Sequence, residues 1–174
     1  MKKKLIGLLL GLTILNGGNA FADTKVDTRA DDIKAKIDVS IKDIKRIEDT
    51  RNRVVDIATQ YDGWEYVWGG SSPKTSFDCS GLIQYAYKQV GYDIARVSYL
   101  QAKEGIEVDI KDIQKGDIIC MVTTNRNNGD VTHVAMYIGN DKMFHARSSR
   151  FGIRYDEYSE AWKDKTVTIR RVIK

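Results

Sequence analysis

The sequence predicts an α+β fold built on an antiparallel sheet. Three observations carry that prediction. Apolar residues recur at helical spacing in the N-terminal part, with Ile33, Ile37, Ile41, Ile44 and Ile47 at steps of four, four, three and three. The C-terminal half instead holds short β-type runs separated by turn residues. Helices therefore come first and strands afterwards, which segregates them into different layers.

Taken in order, residues 27–50 read as an amphipathic helix with charges on its other faces. A second short helix is expected over Arg51–Tyr61, burying Val54, Val55, Ile57 and Ala58. In "YDGWEYVWGGSS", Tyr66 and Trp68 flank Val67, and two glycines then break any regular element. A third helix is expected over Cys79–Val90, with Leu82, Ile83, Ala86, Tyr87 and Val90 as its apolar set and Gly91 as its stop. Strands are expected at Asp117–Val122, His133–Ile138, Lys142–Ala146, Ile153–Tyr155 and Thr166–Val172. The expected turns are "NRNNGD" at 125–130 and "GND" at 139–141.

The chain opens with three lysines, an apolar run from Leu5 to Leu15, and Ala20-Phe21-Ala22. That is the layout of a secretory signal peptide over residues 1–22, with an apolar run too short to span a bilayer. The expected organisation is a signal at 1–22, an amphipathic helical segment at 23–50 and one domain at 51–174, placed outside the cytoplasm (secreted, periplasmic or in the cell envelope). No membrane anchor is expected after cleavage. Cleavage removes three lysines and no acid, leaving 25 basic against 24 acidic residues, a formal charge of +1. The basic pI thus belongs mostly to the signal and gives no support for nucleic-acid binding.

The chain has two cysteines. In an exported protein they could be bonded to each other. Their settings argue otherwise: Cys120 lies in the apolar run "GDIICMVT", where a free thiol packs as a small hydrophobe. Cys79 lies in "SFDCSGLIQYAYKQVG", at the start of a helix. There, unpaired N–H groups and the macrodipole favour a thiolate and could stabilise an oxyanion. The two small residues after it let a substrate backbone approach.

There are also two histidines, His133 and His145, on adjacent predicted strands joined by a tight turn. An odd number of residues between the last paired positions puts both on one face. Pairing Ile138 with Lys142 sets them diagonally, and pairing Tyr137 with Asp141 sets them directly opposite. In both cases their Cβ atoms lie roughly 4.5 to 8 Å apart. A two-residue loop would send them to opposite faces. On one face, one imidazole can take the thiol proton while the second orients it.

"YVWGG", "FDCSGLIQYAYKQVG", "IQKGDII" and "THVAMYIGNDKMFHA", in that order, resemble the NlpC-type cysteine peptidases, papain-like bacterial cell-wall hydrolases. The match runs over about residues 51–172. The resemblance implies a papain-like domain with the nucleophile at a helix N-terminus, acting on peptidoglycan peptide stems, often between γ-D-glutamyl and the following diamino acid. Residue by residue it implies Cys79 as nucleophile, His133 as general base in an ion pair with the thiolate, and His145 as the third, orienting residue. Tyr66 would position substrate or stabilise the oxyanion. Asp78 and Ser80 would line the polar part of the cleft or cap the helix, and Trp68 would be a cleft wall or a core aromatic. Asp117 would be structural. No cofactor and no metal are implied, and two histidines without a third ligand make a poor zinc site. Cys120 departs from the larger apolar residue of many relatives. The 27–50 segment lies outside the motifs: it reads as a helix packed on the domain or lying in solvent, or as a contact for a protein partner or a wall polymer. The other functional readings are a related amidase or acyltransferase on cell-wall substrates, and a non-catalytic wall-associated binding protein.

Overall fold

Residues 23–124 and 130–174 are described by a computed structural model, with side chains from residue 29 onward. The predicted signal at 1–22 and residues 125–129 of the predicted turn lie outside the described residues. The described residues divide into two units, one ending at Ile41 and one beginning at Lys42.

One helix, α1, runs from Asp23 to Thr59, where two helices were expected. No glycine or proline falls between these residues, so nothing breaks the backbone ladder at the expected junction. In the first unit Ile33, Ile37 and Ile41 are exposed. In the second, Ile44 is exposed, Ile47 is half-buried, and Val54 and Ala58 are fully buried. Gly63, at φ 79°, then turns the chain, a conformation that costs glycine little.

The second unit carries a two-stranded ribbon, β1 (Ser71–Ser72) and β2 (Ser76–Phe77), leading into α2 (Cys79–Gln89). A short α3 (Ser98–Gln101), β3 (Ile106–Glu107) and β4 (Ile118–Met121) follow. The remaining elements are β5 (His133–Gly139), β6 (Lys142–Ser148), β7 (Gly152–Glu157), α4 (Glu160–Lys163) and β8 (Thr166–Arg171). β3 to β8 form one antiparallel sheet in the order β3-β8-β4-β5-β6-β7. The five predicted strands are all present within a residue or two, and the α+β class holds.

Side-chain alternation divides the sheet's apolar residues between two clusters. Ile118, Cys120, Val134, Met136, Phe144 and Ala146 pack with Leu82, Ile83, Ala86 and Tyr87 of α2. Ile119, Met121, Ala135, Tyr137 and Met143 pack with Tyr158 on the other side. Asp117, 1% exposed, takes a two-pronged ion pair from Arg171 at 2.9 and 2.7 Å, tying the start of β4 to the end of β8. Its structural reading fits that geometry.

The start of α2 is built against the glycine loop. Asp78 caps the helix, accepting from Gly81 N–H at 2.7 Å, and its own N–H donates to Gly70 C=O at 3.0 Å. A Cβ on Gly81 would run into the Gly70 carbonyl and stand 3.0 Å from the Asp78 carboxylate. Gly81→Ala is therefore expected to cost about 2 kcal/mol or more, read as a melting temperature several degrees lower. An unchanged melting temperature would mean that the loop gives way freely.

Candidate active site

The β5–β6 connection decides where the two histidines go. Its loop has two residues, with Gly139 paired to Lys142 and with Asn140 (φ 54°) and Asp141 (φ 52°) in the left-handed region. This is the type I′ geometry that suits a tight hairpin. By itself such a loop would put the imidazoles on opposite faces. A bulge at Ile138 adds one residue to β5, so the register becomes Tyr137↔Met143 and Met136↔Phe144. Carried upward, that register sets His145 opposite Ala135 and diagonal to His133. The result is the first of the two expected arrangements. His133 Nε2 and His145 Nδ1 lie 2.8 Å apart, and the ring centroids 5.0 Å. His145 is fully buried and His133 is 6% exposed.

β7 extends the cluster. Its register, Met143↔Asp156 and His145↔Arg154, brings Asp156 to the face of His145. Asp156 Oδ2 lies 3.1 Å from His145 Nε2 and 3.0 Å from Arg147, while Oδ1 lies 3.3 Å from Arg154. Trp162 of α4 stacks on His133 (6.3 Å, 28°) and meets His145 edge-on (5.5 Å, 77°). None of Asp156, Arg147 and Trp162 was singled out in the sequence.

Cys79 opens α2 beside the beginning of β5. The backbone N–H of Val134, the residue after His133, and those of Ser80 and Cys79 itself lie near enough to its sulfur to favour the thiolate. Val134 lies beyond Met136↔Phe144, the last pair of the β5–β6 ladder among the described residues. Both cysteines are free and buried. Cys120 sits inside β4, where burial pushes its thiol up to about 12.

Tyr66 forms an isolated bridge with Phe77, two residues before Cys79. Burial, then the neighbouring Cys79 and Asp78, push its phenol up to about 12, so it stands by the sulfur as a protonated donor. Trp68 is not in the core: it is 87% exposed on the loop after Tyr66.

The Asp78 carboxylate is occupied from every side. Besides capping α2, it accepts from Gly69 N–H at 3.0 Å and from Arg96 at 2.9 and 2.7 Å. Ser80 Oγ donates to it at 3.3 Å and accepts from Arg96 at 3.0 Å. Arg96 also reaches Gly70 C=O at 3.2 Å. Asp78 and Ser80 are thus nearly buried at the helix start, joined by an arginine that the sequence reading did not single out.

The electrostatics differ from the expectation of a lowered thiol. Burial, then Asp78, pushes Cys79 above its ordinary value, although the three N–H groups pull the other way. Burial, then the charges of His145 and Arg147, pushes His133 down to about 3, with Asp156 opposing. His145 is also lowered, by burial first, against its hydrogen bond to Asp156. For Asp156 burial pulls upward, but His145, Arg147 and Arg154 outweigh it and the carboxyl lies below its usual range. Burial thus favours the neutral forms of the thiol and of both imidazoles, against the ion pair that the resemblance implies. Among the described residues no group of three His, Cys, Asp or Glu side chains could hold a metal ion. No described helix is long and apolar enough to cross a membrane.

The NlpC/P60 family model matches residues 63–171. The chain belongs to the NlpC/P60 family. The chain is 33% identical over 136 residues to the bifunctional muramidase/DL-endopeptidase CwlT of Bacillus subtilis, covering 78% of this chain and 40% of that protein. It is 36% identical over 118 residues to the murein DD-endopeptidase MepH of Escherichia coli, covering 66% and 43%. Among solved structures, an NlpC/P60 family protein from Bacillus cereus superposes with a TM-score of 0.66 at 30% identity, covering 71% of this chain and 40% of that one. The peptidoglycan hydrolase RipB of Mycobacterium tuberculosis gives 0.65 at 27%, covering 75% and 68%. The chain spans less than half the length of the two curated relatives. These NlpC/P60 structures share its α+β fold.

Proposed function

We propose that the protein is an exported thiol hydrolase that cleaves amide bonds in peptidoglycan stem peptides, with Cys79 as nucleophile, His133 as base and His145 as orienting residue. The observation that carries this reading is the 2.8 Å contact between the two buried imidazoles, beside a helix that begins at a free cysteine. His145 occupies Nε2 of His133, which leaves Nδ1 as the nitrogen available to the thiol. In the reaction Cys79 Sγ attacks the scissile carbonyl as its proton passes to His133. His133 then protonates the departing amine, and a water deprotonated by His133 hydrolyses the thioester. The N–H groups at the helix start and the Tyr66 phenol are placed to donate to the oxyanion, and one such donor is worth about 10²- to 10³-fold in rate. Trp68, exposed two residues after Tyr66, would offer an open face to the substrate.

Relatives are named for different bonds: a DL-endopeptidase, a DD-endopeptidase and a γ-D-glutamyl-L-lysine dipeptidyl-peptidase. The bond we favour lies between γ-D-glutamyl and the diamino acid. The test is digestion of walls of known chemistry with protein beginning at Asp23, followed by mass analysis of the fragments. Wild type is expected to release stem-peptide fragments and Cys79→Ala none. Equal release by the variant would end the hydrolase reading, and fragments cut at the sugar-linked alanine would make it an amidase. Export is tested by the N-terminus of secreted protein, expected at Asp23.

A further inference from the structure

We propose that Asp156 is a positioning residue that fixes the protons on both imidazoles and so makes Nδ1 of His133 the basic nitrogen. The kinetic part of this inference rests on the hydrolase reading; the proton arrangement does not.

The deduction follows the chain of contacts. An ionised carboxylate can only accept. Asp156 Oδ2 lies 3.1 Å from His145 Nε2, so that nitrogen carries a proton. His145 is fully buried and neutral, so its Nδ1 is bare. That bare nitrogen lies 2.8 Å from His133 Nε2, and the contact holds only if His133 donates from Nε2. His133 is neutral too, and its Nδ1 is left as an open lone pair. One carboxylate thus sets a tautomer two rings away.

Asp156 is built for that task. Arg147 and Arg154 each take one side of the carboxylate and hold it ionised, and its side chain is 13% exposed. β7 places it diagonally to His145 through the pairs Met143↔Asp156 and His145↔Arg154. Trp162 covers both rings, with Lys165 lying 5.1 Å from the indole. The charged and titratable groups around the imidazoles are therefore Asp156, Arg147, Arg154, the Cys79 thiol at the head of α2 and, beyond the indole, Lys165.

Without the carboxylate the arrangement is free to reverse. His145 then donates from Nδ1 to His133 Nε2, and His133 carries its proton on Nδ1, where it cannot receive one from the thiol. Loss of the correct tautomer costs roughly 10⁴-fold in a Ser-His-Asp arrangement. For Asp156→Asn and Asp156→Ala we expect kcat to fall by about 10²- to 10⁴-fold with KM within about threefold.

The test is long-range ¹H–¹⁵N correlation of the full chain labelled at the histidine rings, at pH 7, with muropeptide hydrolysis measured alongside. In wild type both rings are expected neutral and protonated at Nε2. In both variants His133 is expected to move toward the Nδ1–H form. A wild-type His133 protonated at Nδ1 would overturn the proposal, as would variants that keep both the wild-type tautomers and the wild-type kcat. If the variants fail to fold, the wild-type spectrum alone decides. Expected tautomers without any hydrolysis would sink the hydrolase reading and leave the assignment of Asp156 standing. Hydrolysis with the wrong tautomer would do the reverse.

Discussion

Replacing Cys79 by alanine, His133 by glutamine, or both together is expected to lower kcat/KM by one common factor, about 10⁴ or more, with no further loss in the double variant. Nucleophile and base act as a unit: without the sulfur there is nothing to deprotonate, and without the imidazole the thiol stays protonated. The neutral resting pair sharpens this. Burial holds His133 down to about 3 and pushes the Cys79 thiol up, so proton transfer is expected to accompany attack. The acid limb of kcat/KM is then expected well below the ordinary imidazole value of about 6.5, and activity at pH 5 should stay close to that at pH 7. A limb between pH 6 and 7 would show that His133 titrates as an ordinary imidazole. Stability follows the same lowered value. The unfolded chain binds more protons than the folded one between the two pKa values, so the contribution is fully present above about 6.5 and lost as pH falls toward 3. It is on the order of several kcal/mol, and His133→Gln should remove that slope from a pH series of chemical denaturation.

Most of this site could be read before any coordinates, because it depends on local periodicity. The cysteine stood out as the start of a helix with a clear apolar stripe. The two histidines stood out because alternation on a short hairpin leaves few arrangements. The deciding detail was hidden: the loop is of the two-residue kind that separates the rings, and only the bulge at Ile138 brings them together. No residue type announces a bulge there. Asp156 and Arg96 were hidden for another reason. Neither belongs to a recognisable motif in the chain, and each gains its meaning from contact with another element, with β6 for Asp156 and with the helix start for Arg96. The expected break in α1 is absent because neither glycine nor proline interrupts its ladder. A helix can pass from exposed to buried surroundings with its ladder intact, and the shift from exposed Ile33–Ile44 to buried Val54 and Ala58 is of that kind.

Arg96→Met is expected to be the most destabilising substitution near the site, by about 3 kcal/mol. Its guanidinium meets both oxygens of Asp78, at 2.9 and 2.7 Å, and also reaches Ser80 Oγ and Gly70 C=O. The Asp78 side chain is 11% exposed, so the variant strands a carboxylate that has little water to turn to. The Arg96 side chain is 31% exposed, and that screening puts the expected loss at the lower end of the range for a broken buried pair. Chemical denaturation of Arg96→Met, Asp78→Asn and the double variant separates the causes. Asparagine still accepts from Gly81 N–H, so the cap survives while the charge is gone. The double variant should therefore be more stable than Arg96→Met alone, since the stranded charge is removed with its partner. If the two losses simply add, Arg96 acts through packing of its stem against the glycine loop. In that case the position of Cys79 rests on the Asp78 cap and the Gly81–Gly70 contact alone.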